Sequence, residues 1–109
     1  MGEVKVDYDR QNDDLCLIKE KAYVGSSVMF RDMILDISRD GKLVGIEMLD
    51  ASNIIGVSKK DLEKTTQSDM QVFYKPNMVV VRVHLFIQNN EREISIPIAT
   101  ETTLKAAVS

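Results

Sequence analysis

Apolar and polar residues alternate with a period of two along most of this chain, the signature of half-buried β-strands. In EVKVDY (residues 3–8) the pattern puts Val4, Val6 and Tyr8 on one face and Lys5 and Asp7 on the other. The polar stretch DRQNDD reads as a turn and LCLIKEK as the next strand. Residues 23–29, YVGSSVM, hold Gly25, Ser26 and Ser27 and read as a loop or an irregular edge. RDMILDIS and KLVGIEML form two further strands about Asp40-Gly41, a preferred pair for a two-residue type I′ turn.

That turn predicts a register. Ile37 faces Val44, Leu35 faces Ile46 and Met33 faces Met48, all on one side. Asp36, Ser38 and Glu47 fall on the other side with Ile34 and Leu43. A three-residue loop of Arg39, Asp40 and Gly41 pairs Met33 with Glu47 and Leu35 with Gly45, a poorer set. One slip turns a whole strand over, so the two-residue register is expected.

DASNIIGV then leaves the sheet. SKKDLEKT predicts one short helix near residues 59–66, with Ser58 as N-cap, Asp61 three places on, and Leu62 docked on the sheet. The long strand MVVVRVHLFIQ follows MQVFYK and a Pro76-Asn77 turn. A turn at Asn89-Asn90 pairs Leu85 with Ile94, Val83 with Ile96 and Val81 with Ile98. The opposite face carries Arg82, His84, Phe86, Glu93, Ser95 and Pro97, with His84 facing Ser95. Pro97 lacks a ladder donor and belongs at an edge or near a strand end.

These elements predict an α+β fold: about seven antiparallel strands in a meander, as one curved sheet or two packed sheets, with the one helix. The 109 residues suit a single domain, divided into a core at 3–55, the helix region at 56–67, C-terminal hairpins at 68–98 and a tail at 99–109.

Composition narrows the function classes. A net charge of −3 argues against nucleic acid, whose phosphates need a basic face. No apolar run approaches a membrane span, MGEVKVD lacks a signal-peptide core, and Val6 stands where a myristoylation motif has Ser or Thr. The single Cys16 cannot form an internal disulfide, which suits a reduced cytosolic setting.

The stretch DISRDGKLVGIE resembles a calcium loop, with Asp36, Ser38, Asp40, Gly41 and Glu47 at the spaced positions. A calcium loop needs a helix on each side, whereas both flanks here are strand-like, so a hairpin turn is expected. The acidic turn at 7–14 reads as solvated Asx geometry. Asp36, Asp40, Glu47, Asp9 and Asp13 are the candidates should a metal bind; no cofactor is expected. His84, the only histidine, has no matched nucleophile, and Cys16, with Asp13 and Asp14 nearby, reads as a small buried hydrophobe.

VDYDRQNDDLCLI followed by MILDISRDGKLVGIEMLDAS resembles the YuzE-like family of small prokaryotic domains of unknown function. The matching positions are Tyr8, Asp9, Asp13, Asp14, Leu15, Asp36, Asp40, Gly41, Val44, Gly45, Ile46, Glu47, Ala51 and Ser52, within residues 3–55. Cys16 and Ser38 depart from that pattern, and 66–109 extend beyond it. The resemblance implies no established activity, catalytic residue or cofactor.

The expected protein is thus a cytoplasmic, non-enzymatic binding or assembly module. Ile34, Leu43, Val80 and Phe86 mark a second apolar face, which suggests a homodimer. Two alternatives stay open: divalent-metal or small-ligand binding through the acidic turns, and an antitoxin-like partner of a small basic protein.

Overall fold

A computed structural model describes residues 4–99. Period-two alternation becomes eight strands: β1 (Val4–Asp9), β2 (Asp14–Lys19), β3 (Val24–Phe30), β4 (Met33–Ser38), β5 (Leu43–Met48), β6 (Thr65–Lys75), β7 (Met78–Ile87) and β8 (Asn90–Ala99). Helices α1 (Ala51–Ile55) and α2 (Lys59–Leu62) bridge β5 to β6. All strands join one antiparallel sheet in the order β3-β4-β5-β2-β1-β6-β7-β8, curled into a half-barrel.

The expected α+β class is therefore corrected. With 65% strand and 9% helix this is a mostly antiparallel β protein. The physical reason is self-coverage: a sheet curled this far buries its own apolar face, and no helical layer is needed. The expected count of about seven strands is close to the eight observed; the glycine- and serine-rich stretch at 23–29 contributes edge strand β3, irregular only where the register shifts between Val24 and Ser26. Nor is the order a plain meander. After β2 the chain crosses to the far edge and returns through β4 and β5 to lie beside β2, a Greek-key path.

Inward-facing rungs run straight across the strands. One joins Val28, Leu35, Ile46, Leu17 and Val6; the next joins Phe30, Met33, Met48, Leu15 and Tyr8. Val79, Val81, Val83, Leu85 and Ile98 supply the core from the C-terminal strands. The two halves cross: Tyr74 of β6 meets Leu43 at one end of the β4–β5 hairpin, and Ile96 and Pro97 of β8 share a shallow pocket with Phe30 and Met33 at its other end.

The single expected helix becomes two. Asp50 and Gly56 bracket α1 with left-handed backbone at φ 63° and 77°. Ser58 caps α2 as expected, its hydroxyl accepting from the Asp61 amide at 3.1 Å, and Leu62 is fully buried.

Both expected hairpin registers need amendment. At the first tip, Ile37 pairs with Leu43, leaving a three-residue loop of Arg39, Asp40 and Gly41, with Gly41 at φ 84°. This is a loop closed by a glycine in the left-handed region, which a Cβ would strain. A shift between Asp36 and Ile37 absorbs the extra residue, Val44, and restores Asp36 to Gly45, Leu35 to Ile46 and Met33 to Met48. Leu43, expected outside, is consequently 1% exposed in the core. At the last hairpin the turn lies at Gln88 and Asn89, so Val83 pairs with Ile94 and Val81 with Ile96. That register gives all ten residues of β7 a partner, and a two-residue shift keeps every side chain on its expected face. His84 thus faces Glu93 rather than Ser95, and Pro97 lies on edge strand β8. Of the tail, Ala99 ends β8, and 100–109 lie outside the described residues.

Candidate functional site

The β1–β2 turn gathers the densest polar chemistry. Asp9 folds its carboxylate over the turn, accepting from the amides of Gln11 and Asn12 at 3.0 and 3.3 Å and from Asn12 Nδ2 at 2.7 Å. Those bonds, from the Asn12 side chain first, hold its carboxyl below the ordinary value.

Asp13 points the other way. Its backbone is left-handed at φ 56°, and the residue is 6% exposed. Tyr8 Oη donates to Oδ1 at 2.6 Å and Ser52 Oγ to Oδ2 at 2.6 Å. The Ser52 amide donates to both oxygens, at 3.1 and 3.2 Å, and the Ala51 amide to the Asp13 carbonyl at 3.0 Å. Asp13 therefore caps helix α1 from 39 positions away. Asp50, the residue at the cap position, makes no side-chain cap bond and instead accepts from Asn53 Nδ2 at 2.8 Å.

Burial pushes the Asp13 carboxyl up, yet the Ser52 and Tyr8 hydrogen bonds outweigh it and hold the group below its ordinary value, with Lys59 adding to the effect. Burial and the adjacent carboxylate push the Tyr8 phenol well up. Three donors stabilise the carboxylate as an anion and weaken it as a base, and the Ser52 hydroxyl gives its proton to that anion. The cluster joins β1, β2 and α1 and is built to hold them in place.

A second concentration of charge lies on the outer, convex face. One rung there runs Met29, Ile34, Glu47, Cys16, Asp7, and the next runs Ser27, Asp36, Gly45, Ile18, Lys5. The acidic turn and the acidic hairpin thus share a face, with Asp7, Asp14, Asp36 and Glu47 about Cys16. Cys16 is half-buried on this face, not a core hydrophobe as expected. Burial first, then Glu47, Asp7, Asp14 and Asp36, pushes its thiol up to about 11. A thiol in such a field is a poor nucleophile. Asp36 lies over Gly45 and accepts from Ser27 Oγ at 2.8 Å.

The five metal candidates are not brought together. Asp36 and Glu47 sit diagonally on the outer face. Asp40 is at the hairpin tip, where Ser38 Oγ donates to it and holds its carboxyl low. Asp9 serves its own turn, and Asp13 is inside. Among the described residues no group of three or more His, Cys, Asp or Glu side chains is arranged to hold a metal ion. His84 stacks on Phe86 at 4.4 Å and lies 3.7 Å from Glu91, while Arg82 pairs with Glu93 at 3.2 Å and lies over Phe73.

Sequence reasoning missed two pairings: Asp13 with Ser52 and Tyr74 with Leu43. Asp13 and Ser52, both among the positions that carry the family resemblance, were the available signal for the first.

Residues 5–52 match a family described as a protein of unknown function, DUF2283. That span holds both ends of the clamp, Tyr8 and Asp13 at one end and Ser52 at the other. Over 93 residues the chain is 32% identical to an uncharacterized protein of Methanocaldococcus jannaschii, covering 84% of this chain and 80% of that protein. The chain belongs to the DUF2283 family. A putative hypoxanthine phosphoribosyltransferase of Methanosarcina mazei is 40% identical over 58 residues, 53% of this DUF2283 chain and 47% of that protein. This chain thus spans less than half of that second relative. No solved structure matches the DUF2283 chain. No helix among its described residues is long and apolar enough to cross a membrane.

Proposed function

We propose that this DUF2283 chain is a non-enzymatic binding and assembly module, YuzE-like in its N-terminal half, acting as a homodimer in a prokaryotic cytosol. One observation carries the proposal: the sheet curls without closing, so β3 and β8 remain as strand edges. An open edge presents a row of backbone donors and acceptors to any strand that can reach it. Residues of catalytic type give it further support, because Asp13, Tyr8 and Ser52 are engaged with one another and the Cys16 thiol is suppressed. The second apolar face loses its continuity, since Leu43 lies in the core and Ile34 and Phe86 are half-buried beside Glu47 and His84. Self-association through an edge takes its place. Sedimentation equilibrium from about 10 to about 500 µM should show a monomer–dimer equilibrium. A monomer throughout defeats the homodimer.

A second reading rests on the carboxylates about Cys16. That face suits a small basic protein, as an antitoxin-like partner would require. Its mark is binding of such a protein that weakens steeply with added salt. Metal or small-ligand binding through the acidic turns is less favoured, because Asp13 and Asp9 already spend their oxygens on local donors.

A further inference from the structure

The two open edges differ in a way that selects between them. β8 carries Glu91, Arg92, Glu93 and Pro97, the charges and the missing donor by which sheet edges are kept from pairing. β3 and the two residues before it, AYVGSSVMF at 22–30, hold no charged residue and no proline. It is exposed as well: Tyr23 is 82% exposed, Met29 64% and Val24 43%. These are among the largest exposed apolar side chains of the described residues.

Resting on the assembly proposal, we infer that β3 is the dimer edge, pairing antiparallel with β3 of a second copy to make one continuous sheet through the two protomers. The occupant follows from charge. A two-fold antiparallel contact sets each residue against the one equally far beyond the axis in the other copy, so like charges meet wherever a segment carries them at the axis or symmetrically about it. With the axis at Ser27, Val24–Phe30 pairs wholly with its copy and brings no two charged residues together. The outer face cannot be used in this way, since Asp7, Asp14, Asp36 and Glu47 of one copy would meet those of the other. On β8 an axis at Arg92 would set Arg92 against its own copy and Glu91 against Glu93, and Pro97 removes a ladder donor wherever the axis falls. β3 is seven residues long, about 23 Å of strand, which is a small contact, so a dimer of micromolar strength is expected rather than an obligate one. The register shift at Val24 and Ser26 confines the regular part of the edge to 26–30.

The test compares three proteins by sedimentation equilibrium: wild type, Met29→Lys on β3 and Ser95→Lys on β8. Both altered residues are exposed and both changes add one lysine, so far-ultraviolet circular dichroism should be unchanged. A dimer in wild type and S95K, weakened at least tenfold in M29K, supports the inference. Equal dimerisation of M29K, or its selective loss in S95K, overturns the assignment to β3 and leaves the assembly proposal standing. Monomeric wild type removes both. Hydrogen exchange of wild type covers the case in which M29K misfolds. Amides within 26–30 should gain protection between dilute and concentrated samples, and protection gained only elsewhere overturns the inference.

Discussion

Replacing Asp13 by asparagine tests the clamp most directly. Asparagine tolerates the left-handed backbone at φ 56°, so the change isolates the carboxylate from the fold of the turn. Three donors converge on that carboxylate, two of them at 2.6 Å. Asparagine keeps one acceptor oxygen and turns an NH2 toward a donor. A hydrogen bond to a charged group contributes about 1.5–3 kcal/mol net, so losing one and weakening the others should cost about 2–3 kcal/mol, roughly 10 °C in Tm at this chain length. Asp13→Ala strands all three donors and strains the turn, for about 4 kcal/mol. Urea unfolding followed by circular dichroism measures both, with m unchanged. The sign with pH follows from the depressed carboxyl. Its contribution is fully present above about pH 4, the unfolded value, and disappears as pH falls through the lower folded value. The gap between wild type and D13N should therefore narrow in acid. A double-mutant cycle with Ser52→Ala should give about 1–2 kcal/mol of coupling. Stability of D13N within about 0.5 kcal/mol of wild type at neutral pH would refute the clamp.

Three other outcomes are expected. Tyr74→Phe removes the oxygen that accepts from the Leu43 amide at 2.7 Å and should cost about 1–2 kcal/mol in urea melts; no loss would mean water replaces the phenol. In Gly45→Ala the new Cβ comes within 2.9 Å of Asp36 Oδ2 and 3.2 Å of the Leu17 carbonyl, which should cost about 1–2 kcal/mol. Adding Asp36→Ala should recover part of that loss, and strict additivity would show that the carboxylate is not the obstacle. Iodoacetamide at about pH 8 should alkylate Cys16 about a hundredfold more slowly than a free cysteine peptide, with Glu47→Gln faster than wild type. A rate matching the peptide contradicts the suppressed thiol.

The faces of the strands were legible in the sequence because alternation is a local property. Leu35 pairs with Ile46 and Met33 with Met48 on one face as the pattern required, and a two-residue error at the last turn moved no side chain across the sheet. Pairings between segments far apart were not legible. Nothing near Asp13 indicates that its acceptors serve amides 38 and 39 residues later. Leu43 was misassigned because two loop lengths were weighed as rivals, whereas the chain uses the longer loop and then corrects for it. The α+β label failed for a related reason. Whether a sheet is covered by helices or by itself depends on its curl, and the Tyr74–Leu43 bond that marks the curl spans 31 residues. The gathering of Asp7, Asp14, Asp36 and Glu47 about Cys16 depended on β2 lying beside β5, which the crossover decides.

The irregular tip of the β4–β5 hairpin has a consequence for how such chains vary. Three loop residues and one displaced residue cancel within a single rung, so the body of the hairpin does not register how long its apex is. Insertions or deletions at residues 39–41 can be accommodated locally, with neither strand turned over. Length polymorphism among relatives, and any peptide grafted by an engineer, should therefore be tolerated at that apex far better than anywhere along β4 or β5.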